Sequence, residues 1–159
     1  MNERPAQQTL WILWIALLMS HFILAGVGFF LHSTRGSAAS EAMPLVIPLL
    51  AIAAVNALGS LFVNLVLAGP DKFRAWTRGL KAKGESREKA HSSLIMRLQQ
   101  RMILGSALAE SVTILGFILF FLNQISPSLF LIFVAAGVAL HCVGFPKLNM
   151  LQDSLRAEY

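Results

Sequence analysis

The chain has 159 residues, of which 56% are hydrophobic and 13% are charged, and its formal net charge at pH 7 is +5. Soluble domains average about 25% charged residues, and a chain of this size has too few polar residues to cover so much apolar surface in water. The composition therefore excludes a soluble globular domain. It predicts an all-α integral membrane four-helix bundle, with residues 1–159 forming a single four-span domain.

The first two apolar segments cover about 10–31 and about 44–67. Each is long enough to cross a membrane, because a spanning helix needs about 20 apolar residues. A cleaved signal peptide has a shorter apolar region of about 7–15 residues. We therefore expect the first segment to be retained as a span, although the small residues GSAAS at 36–40 are of the kind found at cleavage sites.

A basic segment, residues 68–101, follows the second span and carries nine of the 13 lysines and arginines. Within 70–84, the apolar residues Phe73, Trp76 and Leu80 share one helical stripe, and basic residues occupy the other faces. This pattern is typical of a helix on a membrane surface, so we predict contact with anionic lipid headgroups; a solvated loop that serves only topology is the alternative. No nucleic-acid-binding motif occurs, so we expect no nucleic-acid partner. The predicted lipid-surface residues are Lys72, Phe73, Arg74, Trp76, Arg78, Lys81 and Lys83.

The third and fourth predicted spans cover about 102–122 and about 129–145. After them, Leu148, Leu151 and Leu155 share a stripe that predicts a short helix docked on the membrane or on a partner. Four spans place both termini and segment 68–101 on one side, which then holds 12 of the 13 basic residues. Because basic residues concentrate on the cytoplasmic side, we predict cytoplasmic termini, in the inner membrane if the protein is bacterial.

Two segments of the chain are similar to each other. ALLMSHFILAGVGFFL at 16–31 and ALAESVTILGFILFFL at 107–122 are identical at eight of sixteen positions without a gap. A duplication would make the bundle two helical hairpins in parallel orientation, since parallel repeats recur in membrane proteins. Chance similarity between apolar segments is the alternative.

Polar groups of three predicted spans lie at one depth. Glu110 follows Arg101 by nine residues, which places it about 13 Å into a hydrocarbon core of about 30 Å at the helical rise of about 1.5 Å per residue. Intramembrane ionisable residues usually face the bundle interior and pair with one another. The polar residues at this level could have one of three roles: they join helices by hydrogen bonds, they bind an ion or a proton, or they line a substrate pathway. The candidate residues are Glu110, His21, Asn56, Ser111 and Thr113.

The third span, MILGSALAESVTILGFILFFL, resembles the glutamate-bearing helix of the c subunits (proteolipids) of ATP synthases and V-type ATPases. The resemblance covers 21 residues, and the residues that carry it are Gly105, Ala107, Leu108, Glu110, Ile114 and Gly116. It implies that Glu110 is the ion-carrying carboxylate. Ser111 and Thr113 would then be its coordinating neighbours.

The chain has no nucleophile elbow, phosphate-binding loop or metal-binding motif, so we expect no enzyme activity, no cofactor and no metal. The function we expect is that of a structural or accessory subunit of a larger membrane complex, with other membrane subunits or further copies of this chain as partners. A c-like subunit that binds a proton or sodium ion at Glu110 is the first alternative. A small transporter is the second.

Overall fold

The computed structural model describes residues 4–35, 46–67 and 69–159, and the described chain is helical without a strand. The helices are α1 (Arg4–Arg35), α2 (Val46–Leu61), α3 (Pro70–Ala82), α4 (Arg87–Phe121), α5 (Pro127–Val143) and α6 (Leu148–Glu158), and α2 continues as a π-helical turn over Phe62–Leu67. The predicted all-α class is confirmed. The first residues of the second predicted span and the GSAAS segment lie outside the described residues.

Four helical segments are long and apolar enough to cross a membrane: Gln8–Thr34, Val46–Leu67, Arg87–Phe121 and Pro127–Glu158. The large apolar side chains of α1 and α2 remain mostly exposed on the outside of the bundle, as a lipid environment requires. The prediction that the chain is a small polytopic membrane protein is therefore confirmed. Helix α4 begins at Arg87, 15 residues before the predicted third span, so that span continues from a helical extension in the basic segment.

Helix α4 lies at the centre of the bundle and packs against α1, α2 and α5. Helix α5 is antiparallel to α4, since Phe130 near its start stacks on Phe120 near the end of α4, and Leu140 near its end packs with Ala109. Helix α1 runs parallel to α4, because Leu10 packs with Leu98 at one end and Phe29 contacts Phe120 at the other. The chain directions are those of a four-span protein.

The two predicted hairpins are not equivalent in the structure. Helices α4 and α5 pack closely along each other, whereas α1 and α2 make no comparable contact within the described ranges. Helix α1 instead lies against α4 and α5, where its polar and aromatic residues find partners. Helix α1 runs parallel to α4, as two hairpins in parallel orientation require, but the helices of the two hairpins pack differently, so duplication of the two similar segments stays a prediction.

An apolar core at one end of the bundle joins the start of α1, helix α3, the first turns of α4 and helix α6. We call this core the cap cluster. The short loop before α4 allows this packing, because Gly84 adopts a left-handed conformation and the Ser86 side chain accepts a hydrogen bond from the Lys89 N–H. The members of the cap cluster are Leu10, Phe73, Ala90, Leu94, Ile95, Leu98, Met102, Leu151 and Leu155. The start of α1, helix α3, the first turns of α4 and helix α6 therefore meet at one end of the bundle.

The cap cluster corrects the predicted role of Phe73. This side chain is fully buried between helices, so it has no surface to offer to lipid. The predicted C-terminal helix also exists as α6, and it packs on α3 of the same chain. The apolar stripe of α3 thus packs against α4 and α6. The periodicity of the sequence predicted an apolar surface opposite this stripe, and we expected the membrane to provide it.

Candidate functional site

Three helices converge on His21, which α1 places in the bundle interior with 0% of its surface exposed. Its Nδ1 atom lies 2.7 Å from the hydroxyl oxygen of Thr113 on α4, within hydrogen-bonding distance. Helix α5 covers this bond with Gly137, where a Cβ atom would lie 2.1 Å from the Thr113 hydroxyl and 3.0 Å from His21 Nδ1. Glycine at 137 therefore makes the close approach of the three helices possible.

His141 lies one helical turn beyond Gly137 on α5 and is also buried. Its Nε2 atom lies 3.0 Å from the backbone oxygen of Trp14, two turns before His21 on α1. A carbonyl oxygen only accepts, so Nε2 carries the proton and Nδ1 of the neutral ring carries the lone pair. The indole N–H of Trp14 donates back to the backbone oxygen of His141 at 3.4 Å, and this reciprocal pair holds α1 against α5.

The two imidazole rings lie edge to face, with centroids 5.6 Å apart and planes at 76°. One nitrogen of each ring, His21 Nε2 and His141 Nδ1, is buried without a hydrogen-bond partner among the described protein atoms. Leaving a buried donor or acceptor unpaired destabilises a protein by about 1–3 kcal/mol. Two such atoms on neighbouring ionisable rings are unusual for a site that only joins helices.

Glu110 completes this group, which we call the imidazole centre: His21, Thr113, His141 and Glu110. Glu110 precedes Thr113 by one turn of α4, is half-buried, and interacts electrostatically with both imidazole rings. Ser106, one turn earlier on the same face, is buried with its hydroxyl unpaired. The carboxyl group is thus partly buried on α4, within electrostatic range of both imidazoles.

Two of the candidate residues are not part of this centre. The Ser111 hydroxyl donates to the backbone oxygen of Leu108 in its own helix, at 2.7 Å. Asn56 is half-exposed on α2 and makes no hydrogen bond with the residues of the imidazole centre. The structure brings together His21, Thr113 and Glu110 from the sequence-based candidates, and adds His141.

The buried asparagine of α2 is Asn64, in the π-helical turn. Its amide nitrogen lies 3.4 Å from the Ser60 hydroxyl, which donates to the backbone oxygen of Gly105 on α4 at 2.9 Å. A Cβ atom on Gly105 would lie 2.6 Å from the Asn64 amide oxygen, so glycine is required at this contact. Ser60 and Asn64 therefore form a polar joint between α2 and α4, one and two turns beyond the candidate Asn56.

The predicted lipid-surface residues differ in their surroundings. Lys72, Arg74 and Lys83 are exposed and make no ion pair with a described residue. The Arg78 guanidinium pairs with the Glu158 carboxylate at 2.8 Å, and Lys81 donates to the Glu158 backbone oxygen. These contacts attach the end of α6 to α3, so only part of the basic surface is free.

The histidines raise the question of a metal ion. Within the described residues, no three His, Cys, Asp or Glu side chains are placed so that they could hold one. In comparisons with protein-family models, with characterised proteins and with solved structures, nothing matches the chain. The resemblance of the third span to proteolipid c subunits therefore remains a prediction from its own residues.

Proposed function

We propose that this small polytopic membrane protein takes up and releases a proton at the imidazole centre, with Glu110 as the neighbouring acid. One observation carries the proposal: His21 Nε2 and His141 Nδ1 are both buried without a partner, on rings only 5.6 Å apart. Ionisable groups inside a membrane are costly and usually functional. A centre with an unpaired basic nitrogen, His141 Nδ1, is suited to accept a proton.

The hydrogen bonds define where a proton would bind. Because His141 donates from Nε2 to the Trp14 backbone oxygen, its Nδ1 is the basic atom of the neutral ring. A proton at Nδ1 would give the ring a positive charge that the Glu110 carboxylate can balance. Pairing matters here, since an isolated buried charge is far less stable than a paired one. Exchange between the ring and the carboxyl group then leaves the total charge of the centre unchanged.

The same chemistry favours a proton over a sodium ion. Hard cations bind oxygen ligands, whereas the unpaired atoms of the two rings are nitrogens. The Thr113 hydroxyl is engaged with His21 Nδ1, and the Ser111 hydroxyl is engaged within α4. Two of the candidate hydroxyls are thus engaged and only the Ser106 hydroxyl is unpaired among those near Glu110, so the preference for a proton rests on the unpaired imidazole nitrogen, His141 Nδ1.

A structural or accessory subunit is the second candidate function. The reciprocal Trp14–His141 pair and the Ser60–Gly105 hydrogen bond favour it, because both contacts join helices and are satisfied within the chain. In this case the imidazole centre would only hold α1, α4 and α5 together. Its charge state would then remain fixed over the physiological pH range.

Carbodiimide labelling of the protein in lipid nanodiscs separates the two functions. These reagents modify protonated carboxyl groups that they reach from the membrane, and Glu110 is half-exposed at the bundle surface. We expect an adduct at Glu110 that forms faster as the pH falls, and none at this position in Glu110→Gln. Absence of the adduct from the wild-type protein, or a rate independent of pH, would contradict proton exchange and favour the structural function.

A further inference from the structure

Two arginines of α4 share one tryptophan ring at the border between the cap cluster and the spans. The guanidinium carbon of Arg101 lies 4.0 Å from the centroid of the Trp76 ring, and that of Arg97 lies 5.2 Å from it. A groove of about 530 Å³ opens beside them. Its lining residues are Leu80, Ser93, Met96, Arg97, Gln100 and Arg101, and none of them is acidic.

The positive charge of this groove has no counter-charge in the described part of the chain. The ion pairs found there are Arg78–Glu158 and Lys89–Glu85, so neither groove arginine has a carboxylate partner. The Nη1 atom of Arg101 is buried without a hydrogen-bond partner. An anion with several oxygen atoms would supply the missing bonds, since guanidinium groups bind phosphate with paired N–H donors.

The position of the groove indicates the source of such an anion. Arg101 directly precedes the apolar stretch of α4, so its guanidinium lies at the depth of lipid headgroups. Leu104 is three residues further on the same helical face and is exposed, as is Met96 at the groove wall. Half-buried tryptophan is also common at this level of a membrane. A ligand with a phosphate at the arginines and hydrocarbon chains along Leu104 would match both surfaces.

We infer that the groove between α3 and α4 binds the phosphate group of an anionic phospholipid through Arg97 and Arg101, with Trp76 as the platform that holds both guanidinium groups. This site is distinct from the exposed lysines of α3. It is also independent of proton binding, because it involves none of the residues of the imidazole centre. The site would attach the cap cluster to the membrane surface at one defined point.

Native mass spectrometry of the whole protein, released from detergent with added phosphatidylglycerol or phosphatidylcholine, tests this inference. We expect the wild-type protein to retain phosphatidylglycerol in preference to phosphatidylcholine. Arg97→Gln/Arg101→Gln should weaken that binding by roughly tenfold or more, since it removes two charge-assisted contacts. The control Lys72→Gln/Lys83→Gln removes the same charge from exposed positions and should bind nearly as the wild type does.

Two further measurements keep the result unambiguous. Arg97→Lys/Arg101→Lys retains the charge and a similar size, and should show intermediate binding because lysine lacks the paired donors. Inorganic phosphate added in excess should not displace the lipid. The inference is wrong if the wild-type protein shows no preference for phosphatidylglycerol, if both glutamine double variants lose binding equally, or if inorganic phosphate displaces the lipid.

Discussion

At the scale of single residues, the sequence predicted which side chains lie at one level along the bundle, but not the direction of each side chain. His21, Thr113 and Glu110 were placed at one level by counting residues, and they lie together in the structure. Asn56 was placed at the same level, yet it is half-exposed on α2. The direction in which the Asn56 side chain points depends on the rotation of α2 about its own axis. That rotation is set by the contacts of Ser60 and Asn64 with Gly105 on α4.

His141 was missed for a related reason. It lies near the end of the predicted span at 129–145, and no pattern on α5 indicated the face that meets α1. A usable signal existed in the spacing, because Trp14 and His21 are seven residues apart on α1 while Gly137 and His141 are four apart on α5. Such spacings place two residues on one helical face. Recognising the match still requires knowing that α1 and α5 pack against each other.

Gly137→Ala should destabilise the bundle by about 1–3 kcal/mol, the usual effect of overpacking an interior. The added methyl group would lie 2.1 Å from the Thr113 hydroxyl oxygen, so the His21–Thr113 hydrogen bond or α5 must move. Gly26→Ala is the matched control, because nothing lies within 4 Å of the added atom. Thermal unfolding in detergent measures both variants, and equal midpoints would contradict the close packing at Gly137.

The two asparagines of the second span provide another residue-level prediction. Asn64→Leu should lower stability by about 1–2 kcal/mol, because it removes the buried hydrogen bond that Asn64 donates to Ser60 and puts a branched side chain against Gly105. Asn56→Leu should be tolerated, since Asn56 is half-exposed. The same unfolding assay compares them. A larger loss of stability for Asn56→Leu than for Asn64→Leu would mean that Asn56, and not Asn64, makes the important polar contact of α2.

At the scale of elements, hydrophobic periodicity predicted that α3 is a helix with one apolar face, and this is correct. Periodicity does not identify what covers an apolar face, because a bilayer and a neighbouring helix offer similar surfaces. The structure covers the face of α3 with α4 and α6. Later segments of the sequence indicated what covers this face, because the leucine stripes at 94–98 and 148–155 also need an apolar partner.

Phe73→Ala tests which surface covers α3. Removing a buried phenylalanine side chain destabilises a packed core by about 3–5 kcal/mol, so α3 should detach from the cap cluster in detergent and become sensitive to trypsin at its basic residues. Ala75→Ser, at an exposed position of the same helix, should leave cleavage unchanged. Equal cleavage of both variants and the wild type would mean that Phe73 does not hold α3 in place.

At the scale of the whole molecule, segment lengths and charge predicted four spans with both termini and segment 68–101 on one side. The structure confirms four apolar helices long enough to cross a membrane, and the start of α1, helix α3, the first turns of α4 and helix α6 pack together in the cap cluster at one end of the bundle. It also shows α4 as the central helix, which the sequence did not indicate. Apolar residues occur on all faces of membrane helices, so composition cannot distinguish a central helix from a peripheral one.

The side of the membrane on which this end lies remains a prediction from the basic residues. With Cys142 replaced by alanine, single cysteines at Thr34 and Lys83 should react with an impermeant reagent from opposite sides of sealed vesicles. We expect the cysteine at 83 to be reached from the cytoplasmic side. Reaction of both positions from one side would exclude the four-span topology, and reaction of position 83 only from outside would reverse the orientation.

Proton binding at the imidazole centre is tested most directly by nitrogen NMR of histidine-labelled protein in nanodiscs, titrated between about pH 5 and pH 8, the range in which histidine charge usually changes. We expect His141 to donate from Nε2 when neutral, its Nδ1 signal to change on proton uptake, and Glu110→Gln to alter this titration. His21→Gln and His141→Gln assign the signals. If both rings keep one protonation state throughout, with or without the Glu110 carboxylate, the centre does not bind a proton and serves only to join helices.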